Sequence, residues 1–178
     1  MPFTFKPLDI PDVVLVTPQV FGDSRGFFLE SYRQAAFEAA GIREVFVQDN
    51  HSRSQRGVLR GLHFQRPPHA QAKLVHCLVG EIYDVALDLR PGSACFGRWV
   101  AVRLTPPQTV FIPAGFAHGF AVLSEIAEVV YKTSCVYHPA AEGGVAWDDP
   151  ALAIPWPVSA PVLSARDCAW PRLKDLAL

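Results

Sequence analysis

Apolar residues in this chain recur in short runs and not along a helical stripe. Runs at 13–20, 26–31, 45–51, 58–65, 72–79, 81–89, 98–104, 109–112, 120–123 and 126–134 are rich in Val, Ile, Phe and Tyr, and are punctuated by Gly, Pro and Asp. Most are four to nine residues long, which predicts β-strands. Their spacing, roughly a dozen residues from one to the next, is that of an all-β sandwich or barrel.

One segment breaks the pattern. Residues 31–41, SYRQAAFEAAG, open on Ser31 as a candidate N-cap and close on Gly41 at the C′ position. The alanine-rich interior predicts a short helix. The last thirty residues contain Pro150, Pro155, Pro157, Pro161 and Pro171, so they read as extended chain and turns laid over the body of the fold. No linker, repeat or low-complexity tract divides the chain. The expectation is one all-β domain over 1–178. It is an antiparallel jelly-roll barrel with one short N-terminal helix and an extended C-terminal tail.

Composition narrows the class. Of 178 residues, half are hydrophobic and 19% charged, which excludes a disordered chain. Sixteen prolines and twelve glycines argue against a helical bundle. The net charge of −1 gives no bulk positive charge for nucleic-acid binding. No apolar run approaches a membrane span, and the N-terminus does not resemble a signal peptide. Cys77, Cys95, Cys135 and Cys168 show no metal-finger spacing. A reduced, cytoplasmic protein is expected. The basic residues are twelve arginines and four lysines, and Arg53, Arg56, Arg60 and Arg66 fall close together. Arginine forks suit carboxylates and phosphates, although a solvated loop face explains such a cluster equally well.

A barrel of this size keeps its ligand in the barrel mouth, so polar residues on apolar strands are the candidates. Arg60 and His63 interrupt the run at 58–65. Three apart, they face opposite sides of a regular strand, unless a bulge at Gly61 brings them to one face. Lys73 shares strand parity with Val75 and Cys77, and a lysine in an apolar barrel needs a partner or a task. Asp84 and Asp88 alternate with hydrophobes, as on a solvent face or a partly polar interior. Tyr131 and Tyr137 flank a strand and its exit loop, and a tyrosine can act as a general acid. Asp167, in the tail, is one carboxylate able to orient a histidine base.

Pro113, Gly115 and His118 form a PxGxxH turn that resembles the second signature motif of the cupin superfamily. The position where a metal-binding cupin offers another histidine is Gln65. A metal site needs three or four ligands, and only about two are visible. The reading is therefore a cupin barrel without a metal.

Six stretches together resemble the dTDP-4-dehydrorhamnose 3,5-epimerase family. They are FGDSRGFFLES (21–31), FVQDNHSRS (46–54), GVLRGLHFQ with the following prolines (57–68), IPAGFAHGFAVLSE (112–125), YKTS with Tyr137 (131–137), and WP followed by LSARD (156–167). The resemblance implies a cupin-type jelly roll acting as a homodimer without metal or cofactor. Its substrate is a dTDP-linked 4-keto-6-deoxyhexose, inverted at C3 and C5 on the way to dTDP-L-rhamnose. It implies His63 as base, Asp167 as the carboxylate that orients it, Tyr131 as proton donor and Lys73 beside the C4 oxygen. Arg25, Glu30, Gln48, Asp49, Asn50, Arg60, His118, Glu142 and Arg166 fall on substrate-binding positions, with Tyr137 also lining the site. Departures from the family pattern are Arg166 for lysine, His76 for arginine, His69 for an aromatic and Ala72 for glycine. They leave every catalytic group in place and bear on substrate preference. The alternatives are an enzyme inverting a single centre and a metal-dependent cupin.

Overall fold

In the computed structural model, which describes residues 2–177, the β-rich pattern folds into thirteen strands. In chain order they are β1 (Phe3–Pro7), β2 (Val14–Pro18), β3 (Val20–Asp23), β4 (Gly26–Leu29), β5 (Gln48–Gln55), β6 (Leu59–Gln65), β7 (Lys73–Val79), β8 (Ile82–Asp88), β9 (Trp99–Leu104), β10 (Thr109–Ile112), β11 (Phe116–Val122), β12 (Ile126–Thr133) and β13 (Glu142–Gly144). The helix α1 spans Gln34–Ala39. Short 3-10 turns lie at Pro139–Ala141 and Leu173–Asp175.

Two antiparallel sheets face each other. One has the order β1-β2-β10-β7-β12-β5, the other β13-β6-β11-β8-β9, and β3 and β4 form a separate hairpin. Between the sheets lie Val75, Ile112 and Val129 from the first and Ile82, Phe120 and Val122 from the second. The outer faces are covered as well. Leu74 and Phe111 pack under Phe37 of α1, with Phe3 and Ile42. Leu62, Val85 and Leu87 pack under Leu152 and the half-buried Trp156 of the tail. Strands covered on both faces carry apolar residues on both. That is why 72–79 and 81–89 are largely apolar and lack a clean one-face alternation. The tail is tied down by polar contacts too: Arg66 donates to the carbonyls of Glu142 and Ala177 at 2.9 and 3.2 Å.

The helix is shorter than 31–41. Arg33, not Ser31, occupies the N-cap, without a side-chain cap bond. Its C-terminus follows expectation: Gly41 has φ +92°, and the amides of Gly41 and Ile42 reach back to the carbonyls of Glu38 and Phe37 at 3.0 and 2.9 Å. The run at 45–51 is also displaced. Val45 and Val47 are exposed, and the strand is the polar segment QDNHSRSQ. As a sheet edge, β5 pairs only with β12 and has no apolar core face to announce it. Strand β11 begins four residues earlier than expected, which puts His118 on a strand and not in a turn.

Of the two readings open at Gly61, a regular strand or a bulge, the bulge is present. His118 pairs with His63 and Phe120 with Arg60, so two steps on β11 match three on β6. Residues two apart on β11 share a face, so their partners Arg60 and His63 share it too. Gly61 has φ +131°, and a Cβ there would meet the His118 carbonyl at 3.0 Å and overlap the backbone of Gly119. Only glycine satisfies both demands.

Candidate active site

Register dictates which side chains meet inside the barrel. On the first sheet Asn50 pairs with Tyr131, Tyr131 with Val75, and Lys73 and Gln48 with Thr133. Cross-strand partners share a face, so Gln48, Asn50, Lys73 and Tyr131 point the same way as core residue Val75. On the second sheet His63 pairs with His118 and with Gly144, and Gln65 with Glu142. Gln48, Asn50, Lys73 and Tyr131 from the first sheet and His63, Gln65 and Glu142 from the second line one open cavity of about 250 Å³, with Tyr137 and Arg166 at its edge.

His63 is anchored by the tail. Its Nε2 lies 2.5 Å from Asp167 Oδ1. Ser164 Oγ donates to Asp167 Oδ2 at 2.8 Å, and the Asp167 amide donates to Ser164 Oγ at 3.1 Å. Burial pushes the Asp167 carboxyl up, but the hydrogen bonds from His63 and Ser164 and the nearby His63 charge outweigh it. The group stays below the usual carboxylate range. An ionised carboxylate accepts only, so His63 Nε2 carries the hydrogen and Nδ1 is left as the basic nitrogen. Trp170 packs edge-on against the imidazole, with centroids 6.0 Å apart. A Cβ at Gly144 would collide with that indole.

Lys73 lies deeper. Its Nζ is 3.4 Å from the His63 carbonyl and 6.0 Å from the centre of the Tyr131 ring. Burial lowers its pKa to about 8, against the opposing pull of the Asp84 and Glu142 carboxylates. Asp84 is itself buried and accepts from His118 Nε2 at 2.8 Å. Burial holds His118 below the ordinary histidine value despite that partner. Burial raises the Tyr131 phenol, so it keeps its proton at neutral pH.

The rim is a polar network. Glu142 Oε2 accepts from Arg166 Nη1 at 2.7 Å and from the Tyr137 hydroxyl at 3.0 Å. Gln48 Oε1 accepts from the Tyr137 amide at 2.8 Å. Arg60 Nε donates to Ser54 Oγ at 3.1 Å, and its charge acts on Tyr131. Ion pairs this exposed contribute about 0–1 kcal/mol, so their role is to orient side chains.

Six expected residues are not among those lining this cavity: Asp167, Arg60 and His118, whose contacts are given above, and Asp49, Arg25 and Glu30. Asp49 sits between Gln48 and Asn50, so it faces outward, where Lys132 pairs with it at 3.0 Å. Arg25 pairs with Asp23 at the tip of the β3/β4 hairpin, in a shallow cleft lined by Phe21, Phe27 and Phe28. Glu30 pairs with Arg33 at 3.2 Å on the surface. Conversely, Gln65 and Gln71 line the cavity without having been expected there. Asp84 belongs to the polar interior and not to a solvent face. Gln65 stood out only as a missing metal ligand, and Asp84 only by its alternation along β8. Among the described residues, no group of three or more His, Cys, Asp or Glu side chains is placed to hold a metal.

A cupin-like barrel that gathers a carboxylate-held histidine, a buried lysine and a protonated tyrosine around one cavity defines an enzyme built for proton transfer. The family model described as dTDP-4-dehydrorhamnose 3,5-epimerase matches residues 7–175. A relative of that description from Pseudomonas aeruginosa is 58% identical over 164 residues, 90% of each chain. One from Salmonella typhimurium is 54% identical over 173 residues, 95% of this chain and 94% of that one. The crystal structure of dTDP-6-deoxy-D-glucose-3,5-epimerase from Legionella pneumophila, in complex with dTDP-4-keto-L-rhamnose, is similar with a TM-score of 0.95. It has 45% identity and covers 98% of this chain and 95% of that one. The chain belongs to the dTDP-4-dehydrorhamnose 3,5-epimerase family.

The ionisation of Lys73 is directly measurable. Its Nζ resonance is expected to titrate near pH 8, and Asp84→Asn to lower that value further by removing an opposing charge. From about pH 8 up to the free-lysine value of 10.5 the unfolded chain holds the proton that the folded one has lost. In that window Lys73's contribution to stability therefore rises with pH. Titration at the free-lysine value contradicts the placement.

Proposed function

We propose that this enzyme converts dTDP-4-dehydro-6-deoxy-D-glucose to dTDP-4-dehydro-L-rhamnose, by removing and returning protons at C3 and C5. The observation that carries the reading is His63, held by Asp167 and facing the same cavity as Lys73 and Tyr131, in a chain matched by the family model over 7–175.

Each group has a task. The C–H bonds flanking a C4 ketone are weakly acidic. His63 Nδ1 takes the proton, and the bonding pair passes to the C4 oxygen as an enolate. Asp167 stabilises the imidazolium that forms and fixes the ring. Lys73, as a cation in a site of low dielectric, stabilises the enolate oxygen. Tyr131 returns a proton to the opposite face of the carbon, which inverts the centre. The ketone already acidifies both carbons, so the chemistry needs neither metal nor cofactor. The arginines Arg60 and Arg166 match the charge of a diphosphate.

The reading includes a homodimer and a cytoplasmic location. Among the described residues, no helix is long and apolar enough to cross a membrane. Support for a second copy comes from the hairpin, where Phe27 and Phe28 are more than 70% exposed. An apolar patch of that kind calls for cover. Arg25 and Glu30, remote from the cavity of their own chain, would then serve the substrate site of the partner. Sedimentation is expected to give twice the chain mass for the wild type, and a monomer for Phe27→Asp/Phe28→Asp. A wild-type monomer excludes the homodimer.

For the reaction, turnover in deuterated buffer is expected to place deuterium at both C3 and C5, read by NMR of the product. His63→Ala is expected to lower exchange by a factor of about 10³ or more while remaining folded. Undiminished exchange in that variant removes His63 as the base. Label at one carbon only would assign the protein to the single-centre epimerases.

A further inference from the structure

Gln65 is buried beside the catalytic groups, and every polar atom of its side chain is engaged with backbone. Its Nε2 donates to the carbonyl of His69 at 2.7 Å and to that of Val136 at 3.3 Å. Its Oε1 accepts from the His138 amide at 2.7 Å. These groups belong to two irregular segments, the β6–β7 connection and the segment that follows β12. Above them the imidazoles of His69 and His138 stack, with centroids 4.0 Å apart and planes 10° from parallel. Tyr137 lies between Val136 and His138, two of the three residues that Gln65 holds. Its own amide is held by Gln48 and its hydroxyl by Glu142.

We propose that Gln65 is the positioning residue of this site: its amide locks the Tyr137 segment onto the cavity edge, so that the nucleotide sugar meets a preformed wall. The inference rests on the nucleotide-sugar reading above. Val136, Tyr137 and His138 are exposed, so the segment is held by these bonds to the buried Gln65 side chain and not by its own burial. Gln65 supplies two such bonds, one on either side of Tyr137, and a third that ties the same amide to the β6–β7 connection. Without them the segment must be ordered when ligand binds, and that ordering weakens binding without altering the chemistry. Among the described residues, Gln65 makes no hydrogen bond to Tyr131 or Asp167 that would route it into proton transfer.

The geometry makes an unusual demand on replacements. Leucine fills the space and bonds to nothing. A neutral glutamic acid reproduces both functions, since its hydroxyl donates to a carbonyl and its other oxygen accepts from His138. A glutamate anion confronts the His69 and Val136 carbonyls and repels them. The charged and titratable groups around position 65 are His63 on its own strand, Glu142 on β13, Lys73 on β7, and His69 and His138 on the two segments. All are retained in the variants, so each value is taken relative to the wild type at the same pH.

The test is dTDP binding by calorimetry at pH 5 and pH 8, with KM and kcat for the sugar nucleotide and a thermal melt of each variant. Gln65→Leu is expected to bind dTDP about tenfold more weakly at both pH values, with KM raised similarly and kcat within about threefold of wild type. Gln65→Glu is expected near wild type at pH 5 and about tenfold weaker at pH 8. A folded Gln65→Leu that binds dTDP like the wild type overturns the inference. So does a variant that loses kcat with KM unchanged, or a Gln65→Glu without pH dependence. A wild-type protein that binds no dTDP overturns the nucleotide-sugar reading itself, and this inference with it.

Discussion

The site depends on one hydrogen bond that spans 104 residues, from His63 on β6 to Asp167 in the tail. It decides which nitrogen of the imidazole is free, and therefore where a base exists at all. The rest of the fold serves that contact. The Gly61 bulge puts His63 on the cavity face of its strand. Glycine at 144 leaves room for Trp170 beside the ring. Leu152 and Trp156 dock the tail on the second sheet, and Ser164 holds the carboxylate.

A second constraint is the cost of a charge in an apolar barrel. Lys73 is buried, and its proton is retained up to about pH 8 only because Asp84 and Glu142 offset part of the burial. Asp84 in turn shares its charge with His118. Asp84 thus serves two buried groups, Lys73 through its charge and His118 through a hydrogen bond. Removing it leaves both without that partner, which costs more than the interaction itself is worth.

Much of this was legible from the chain. Short β-rich runs gave the all-β architecture, and the family-like stretches named His63, Lys73, Tyr131 and Asp167. The strand period of two, applied to Arg60, Gly61 and His63, left a choice between opposite faces and a bulge, which the pairing of β6 with β11 decides. The same rule, applied to the predicted run at 45–51, separates Asp49 from Gln48 and Asn50. The run is placed three residues early because an edge strand carries no apolar face to mark its bounds. The pairing of His63 with Asp167 has no local signature, since the contact is made by the tail crossing the sheet. The task of Gln65 was hidden for another reason. Its partners are backbone atoms, which leave no trace in residue type.

The most direct measurement is the tautomer of His63, read from the ¹⁵N shifts of its ring in the free enzyme near neutral pH. The account predicts that the neutral ring carries its hydrogen on Nε2 and leaves Nδ1 unprotonated, with that preference lost in Asp167→Asn. A ring carrying its hydrogen on Nδ1, or one indifferent to the Asp167 change, would contradict it.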